Sequence, residues 1–156
     1  MHRFFRPLTL AFALALTSVA FVACDDDEDA MVVTVDTARP QGTFTAMRAG
    51  AFVEQNMTGS TGMAMLGTDA EGTPFLRFNE AFTTNFNTGT VTVYLSTSET
   101  FTVDPGNGNP DLMLVGPVRD AGENFFRLDS APGANFSHVI LWCASANVPF
   151  GFAELN

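Results

Sequence analysis

Residues 90–95 read Thr-Val-Thr-Val-Tyr-Leu and alternate strictly between two sets of side chains. In an extended chain successive side chains point to opposite faces, so Val91, Val93 and Leu95 share one face. The other face carries two threonines and Tyr94. Because β-branched and aromatic residues with a period of two are typical of half-buried strands, this segment predicts a β-strand with one face in the core.

Similar short segments fill most of the chain, separated by turns rich in Gly, Asn, Asp and Pro. From residue 42 onward no stretch has the periodicity of an amphipathic helix. Further strands are predicted at residues 43–47, 50–53, 58–66, 74–78, 112–115, 124–128, 136–143 and 148–153. Eight or nine short strands at this spacing predict a single all-β domain, an antiparallel β-sandwich or barrel.

The composition limits the classes of function. The chain has 156 residues, a formal net charge of −10 and no lysine. A chain of this length buries roughly two-thirds of its unfolded surface, so it needs no disulfide to form a core. An acidic surface repels phosphates, which argues against a nucleic-acid partner. No Gly-x-Ser-x-Gly motif or glycine-rich phosphate loop is present, so no classical catalytic constellation is visible and enzymatic activity stays an open question.

The first 23 residues predict a secretory signal. Arg3 and Arg6 precede an apolar run at residues 8–23, which is too short to span a bilayer comfortably. The run ends in Phe21-Val22-Ala23-Cys24, which resembles the lipobox of bacterial lipoproteins. The resemblance implies acylation of Cys24 and a membrane anchor in the bacterial cell envelope, with the protein facing the periplasm or the cell surface. Cleavage after Ala20 is the alternative, and it would leave Cys24 as an ordinary thiol.

Five consecutive acids follow this cysteine at residues 25–29. Like charges in a row repel one another and stay solvated, so residues 24–41 are predicted to form a flexible acidic tether. The tether would hold the β domain, residues 42–156, away from an anionic membrane surface.

Several motifs in the β region match one known pattern. Trp142-Cys143 ends a hydrophobic strand, and Val-x-Phe-Gly-x-Ala-x-Leu follows at residues 148–155. Leu76-Arg77-Phe78 and Tyr94-Leu95-Ser96 lie upstream. Together these motifs resemble the DM-thirteen domain over residues 42–156, while Asn87-Thr88-Gly89 and Ala144-Ser145-Ala146 depart from the usual family sequence. The resemblance implies a role in electron transfer, with Cys143 as a thiol or as a ligand to a group such as haem.

Three interpretations of Cys143 stay open, and the first is a redox thiol. Such a thiol needs partial exposure and a neighbour that lowers its pKa, such as a cation. His138 and Arg127 are the candidates. His138 is an odd number of residues away, so a regular strand places its side chain on the opposite face from that of Cys143.

The other interpretations make Cys143 a cofactor ligand or a core residue. A thiolate suits haem iron or copper, and Met57, Met63 and Met65 are candidate thioether ligands. The identity of a cofactor stays unknown, and the absence of Cys-x-x-Cys and His-x-His argues against covalent haem and a structural zinc site. In the third interpretation Cys143 is a core residue. Its strand is apolar on both faces and is therefore expected to be central and buried, and free cysteine is among the most frequently buried residue types.

Two functions follow from these interpretations. In one, a lipid-anchored envelope domain takes part in electron transfer or thiol redox chemistry through Cys143, with an envelope redox or surface protein as partner. In the other, the domain is a non-catalytic binding or adhesion module and Cys143 is part of the core. Acids such as Asp69 and Glu71 lie in turn-like segments, where they are expected to make local hydrogen bonds.

Overall fold

The computed structural model of the chain describes residues 38–102 and 109–156. The predicted signal at residues 1–23, the predicted lipidation site Cys24 and the acidic run at 25–29 lie outside this part. The strands are β1 (Thr45–Glu54), β2 (Met63–Thr68), β3 (Pro74–Phe78), β4 (Val91–Ser96), β5 (Leu112–Val118), β6 (Asn124–Arg127), β7 (His138–Cys143) and β8 (Val148–Glu154). A short 3-10 helix spans Phe86–Thr88. Within the described residues no helix is long and apolar enough to span a membrane.

The strands form one antiparallel sheet in the order β5-β4-β7-β8-β1-β2-β3-β6. The end strands β5 and β6 approach each other, so the sheet curls into a nearly closed barrel. The predicted all-β antiparallel fold is therefore confirmed, with eight strands.

β1 joins the two halves of the sheet. Its residues 45–51 pair with β2 and its residues 52–54 pair with β8. A side chain at Gly50 would collide with the backbone carbonyl of Glu154, so glycine allows the backbones to approach each other here. The segments predicted as separate strands at 43–47 and 50–53 are one strand, because the pairing continues through a register shift between Ala46 and Arg48.

The alternation predicted for residues 90–95 is present in β4. Its three apolar side chains are 0% exposed and belong to the barrel core. The ring of Phe78, in the same core, lies 5.0 Å from that of Phe52 and 4.5 Å from that of Phe82, between centroids. Each buried ring stabilises the fold by about 1.5–3 kcal/mol relative to an exposed one. Burial on the inner face of the strands is thus the main source of stability.

A buried hydroxyl cluster replaces the first part of the strand predicted at 58–66. The hydroxyls of Thr58 and Ser60 lie 2.5 and 2.9 Å from the carbonyl oxygen of Phe150. The Ser60 hydroxyl is also 2.7 Å from that of Thr84. Because these hydroxyls offer the backbone an alternative to strand pairing, the chain forms a loop here and β2 begins only at Met63.

Asp69 organises the turn between β2 and β3. Its Oδ2 accepts the backbone N–H of Gln41 at 3.0 Å, and its Oδ1 accepts those of Glu71 and Thr73 at 2.9 Å each. The hydrogen bond from Gln41 has the largest effect on the pKa of Asp69. Together with those from Thr73 and Glu71 it outweighs burial, which acts in the opposite direction, so the pKa is lowered. Asp69 therefore has the local role expected of a turn aspartate.

The substitution Asp69→Asn should lower the free energy of unfolding at neutral pH. The amide replaces one acceptor oxygen with an NH2 group, which cannot accept a hydrogen bond from the backbone N–H groups that it faces. With its folded-state pKa lowered, the Asp69 carboxylate stabilises the fold fully above its unfolded pKa of about 3.9. That contribution is lost as the pH falls through the lower, folded-state pKa. Urea unfolding at a series of pH values should show this loss. The difference in unfolding free energy between the wild type and Asp69→Asn should shrink as the pH falls below about 3.9.

Asp129→Asn, at an exposed position after β6, is the matched control for the loss of one acid. A pH-independent difference in stability between the wild type and Asp69→Asn would contradict the assigned role of this carboxylate.

Candidate functional site

Cys143 is the last residue of β7 and lies between two strands. It pairs with Val91 of β4 on one side and with Val148 of β8 on the other. Its side chain is 0% exposed, belongs to the barrel core and forms no disulfide. The inward orientation follows from the alternation of β7, in which Val139 and Leu141 also face the core.

A single layer of residues separates the sulfur from solvent. Cys143 Sγ lies 3.3 Å from the hydroxyl of Ser145 and 3.9 Å from the carbonyl oxygen of Thr88. The Ser145 hydroxyl donates to the same Thr88 carbonyl at 3.1 Å. Thr88, Gly89 and Ser145 are themselves exposed. We call these three residues the cover of Cys143. Displacement of the cover by a few ångströms would expose the sulfur.

Gly89 permits this close packing. Its φ is 130°, a conformation that residues with a side chain rarely adopt. A Cβ atom at this position would collide with the Ser145 hydroxyl and would lie 3.8 Å from Cys143 Sγ. Glycine therefore lets the loop before β4 pack directly over the turn that follows β7.

Burial and hydrogen bonding act in opposite directions on the thiol. Burial is the largest single effect and by itself raises the pKa of Cys143. The hydroxyls of Ser145 and Thr88 and the backbone N–H groups of Ala146 and Ser145 lower it, and their combined effect prevails, so the pKa is below its ordinary value. Directed hydrogen bonds thus ease the ionisation of Cys143 relative to an ordinary cysteine, and the thiolate is the nucleophilic and more easily oxidised form.

The structure does not bring the predicted cations to the sulfur. His138 is at the opposite end of β7, where its Nδ1 lies 2.9 Å from the Ser137 hydroxyl. Arg127 ends β6, a strand that does not pair with β7. Neither residue is among the groups that set the pKa of Cys143. The groups that lower the pKa of Cys143 are therefore the hydroxyl and amide donors of the cover and the adjoining turn, and not the candidate cations.

The predicted thioether ligands also lie apart from the sulfur. Met63 and Met65 alternate with Ala64 and Leu66, which face the core, so the two methionines are on the outer face of β2. Met57 is 93% exposed. These three methionines therefore do not form a ligand set with the inward-facing Cys143.

The residues around Cys143 do not fit a bound haem or copper. A soft metal held by a thiolate needs further nitrogen or sulfur ligands in most protein sites. The neighbours of the sulfur are hydroxyl, carbonyl and amide groups, and the cover occupies the side from which a cofactor would approach. Across residues 38–102 and 109–156, no group of three or more His, Cys, Asp or Glu side chains could hold a metal ion.

Thr88, Gly89 and Ser145 were not identified as site residues from the sequence alone. The available signal was indirect, since residues 87–89 and 144–146 are the two segments that depart from the family sequence. A sequence comparison marks such departures, but it does not show that two loops separated by more than fifty residues meet over one sulfur.

One comparison with known proteins gave a match. A family model described as DM13, electron transfer, matches residues 51–155, which include β4, β7, β8 and Cys143. Searches of curated proteins and of solved structures found no match.

The substitution Gly89→Ala should displace Ser145 and raise the pKa of Cys143, because a methyl group occupies the position of the hydroxyl. Overpacking of this kind costs about 1–3 kcal/mol of unfolding free energy. Thiolate absorbance against pH and urea unfolding measure the two effects.

Gly72→Ala is the matched control, because Gly72 also has a positive φ of 84° but a Cβ there would meet no atom within 4 Å. An unchanged Cys143 pKa in Gly89→Ala would show that Ser145 is not what stabilises the thiolate.

Proposed function

Because the chain belongs to the DM13 family of electron-transfer domains, we propose that Cys143 is the group that changes oxidation state, in a domain anchored to the bacterial cell envelope. The observation that carries this proposal is the polar surroundings of a cysteine that is 0% exposed: its sulfur lies 3.3 Å from the Ser145 hydroxyl, which is itself hydrogen-bonded to the Thr88 carbonyl. A cysteine that only fills a core has no need of hydrogen-bond donors around its sulfur, and apolar surroundings raise its pKa.

The hydroxyl of Ser145 acts as the switch that accommodates both protonation states. In the thiol form, Cys143 donates its S–H to the Ser145 oxygen, and the Ser145 hydroxyl donates to the carbonyl of Thr88. When the proton leaves to solvent, the Ser145 hydroxyl rotates and donates to the thiolate instead. The site thus exchanges one hydrogen bond for another on ionisation, and no charged side chain has to move.

The cover determines which reactants reach the sulfur. Thr88, Gly89 and Ser145 keep bulky thiols and metal complexes out of contact with Cys143, because the side chain itself has no exposed surface. A buried thiolate is protected in this way from the irreversible oxidation that exposed low-pKa cysteines undergo. Such protection suits a group that has to return to its reduced state.

A binding or adhesion module is the second candidate function, and the complete burial of Cys143 in the core favours it. In that case Cys143→Ala would act on stability alone, by about 1–2 kcal/mol for a small buried group. Binding to a surface partner would then be retained by the variant.

Labelling with iodoacetamide distinguishes the two functions. The Cys24→Ser variant leaves Cys143 as the chain's single cysteine. If Cys143 is redox-active, the native protein should be labelled with a pH midpoint below that of the unfolded chain, because the thiolate is the reacting form. Ser145→Ala should move this midpoint upward, because the thiolate loses a hydrogen-bond donor, whereas a change in access to the sulfur alters the rate of labelling and leaves the midpoint in place.

Ser130→Ala, an exposed serine after β6, should leave the labelling profile unchanged. Labelling only after unfolding, with no effect of Ser145→Ala, would reject the redox function and favour the binding module.

The proposed anchor is the lipid on Cys24, supported by the position of this residue at the end of an apolar run. Cys24→Ser should move the protein from the membrane fraction to the soluble fraction of bacterial cells, because the acyl chains provide the membrane affinity. Cys143→Ser is the control and should stay in the membrane fraction. A soluble wild-type protein whose N-terminus is Phe21 would contradict the anchor and indicate cleavage after Ala20.

A further inference from the structure

The chain's single tryptophan and single tyrosine lie together on the face of β4 and β7 opposite the core. Phe101 bridges them. Its ring stacks on Trp142 with centroids 3.9 Å apart and an interplanar angle of 21°, and it packs edge-on against Tyr94 at 4.9 Å. Trp142 pairs with Thr92, and Tyr94 pairs with Ile140, so the two side chains are diagonal neighbours. We call Tyr94, Phe101 and Trp142 the outer aromatic cluster.

Two of the three rings in the outer aromatic cluster, the indole of Trp142 and the phenol of Tyr94, differ chemically from the phenylalanines that predominate in the chain. The sequence contains 16 phenylalanines, and these supply almost all of its aromatic packing. Packing over a strand face requires only an apolar ring, which phenylalanine would supply here as well. Indole and phenol differ from a phenyl ring in that they lose an electron readily. The chain has one indole and one phenol, and both of these rings contact the ring of Phe101.

The cluster is joined directly to the proposed redox group. Trp142 and Cys143 are consecutive residues of β7, with the sulfur inside the barrel and the indole outside it. Consecutive Cα atoms are about 3.8 Å apart, so the path between the two side chains is short and covalent. An electron can follow this path although the cover keeps a bulky partner from touching the buried sulfur.

We propose that the outer aromatic cluster is the route by which single electrons pass between Cys143 and the protein surface. This inference rests on the proposed function and specifies its partner as a one-electron carrier that approaches the outer face of β4 and β7. A thiol partner would instead have to reach the sulfur through the cover.

The electron balance of one transfer is simple. An oxidant of the one-electron class, such as an oxidised metal complex, takes an electron from the Trp142 indole and leaves an indole radical cation. The Cys143 thiolate gives an electron to the indole, which becomes neutral again, and the sulfur becomes a thiyl radical. A one-electron reductant using the same route restores the thiolate. No bond to oxygen or to a second sulfur is formed.

Flash photolysis with a photo-oxidised ruthenium complex tests this route on the full chain carrying Cys24→Ser. Because the chain has one Trp and one Tyr, every indole radical is Trp142 and every phenoxyl radical is Tyr94. The Trp142 radical should decay severalfold faster when Cys143 is present than in Cys143→Ser. In Cys143→Ser, the phenoxyl radical of Tyr94 should grow as the indole radical decays, and Phe101→Leu should slow that step.

Tyr94→Phe keeps the packing and should abolish the phenoxyl signal, and Phe44→Leu is a control for loss of a ring outside the cluster. An indole lifetime that is the same with and without Cys143 would overturn the proposed route, even where iodoacetamide labelling shows a low thiol pKa. Labelling of Cys143 only after unfolding would instead reject the proposed function. The two failures are therefore distinguishable.

Discussion

The alternation of side chains along β7 is the constraint on which the site depends. β7 pairs with β4 on one edge and β8 on the other, so its backbone is held extended from His138 to Cys143. Consecutive side chains then point to opposite faces, which places Cys143 in the core and Trp142 outside. A register slip of one residue would exchange the two and remove the sulfur from its hydrogen-bond donors. The apolar burial that fixes this register thus also fixes which groups surround the sulfur.

Two opposing effects meet at the sulfur. Burial disfavours the charged thiolate, whereas hydrogen bonds from the cover and the adjoining turn favour it, and the second effect prevails. The donors come from the loop before β4 and the turn after β7, which are far apart in sequence and meet because β4 and β7 are neighbours. Gly89 lets them meet without a steric clash. In this domain oriented hydroxyl and N–H groups therefore lower the pKa of a cysteine, as a nearby cation does in many reactive cysteine sites.

Much of the fold could be predicted from local sequence. The segment 90–95 is a half-buried strand, and residues 74–78 form β3 with the predicted bounds. The errors have specific causes. The two segments before residue 54 are one strand because Arg48 and Ala49, which lie between them, pair with β2. Residues 58–60 form a loop because the hydroxyls of Thr58 and Ser60 bind the distant carbonyl of Phe150. In both cases the deciding partner lies far along the chain, where periodicity carries no information.

The amino-acid sequence by itself determined the all-β class and the family, because these depend on side-chain periodicity and on short motifs, and it singled out Cys143 as the candidate redox group. It also determined that the chain has one indole and one phenol. Only the tertiary structure decided what surrounds the sulfur: Ser145 and Thr88 in place of His138, Arg127 or the methionines. It likewise decided that Tyr94 and Trp142 share one aromatic contact. The physical reason is that strand pairing joins residues distant in sequence, and each pairing selects which side chains share a face.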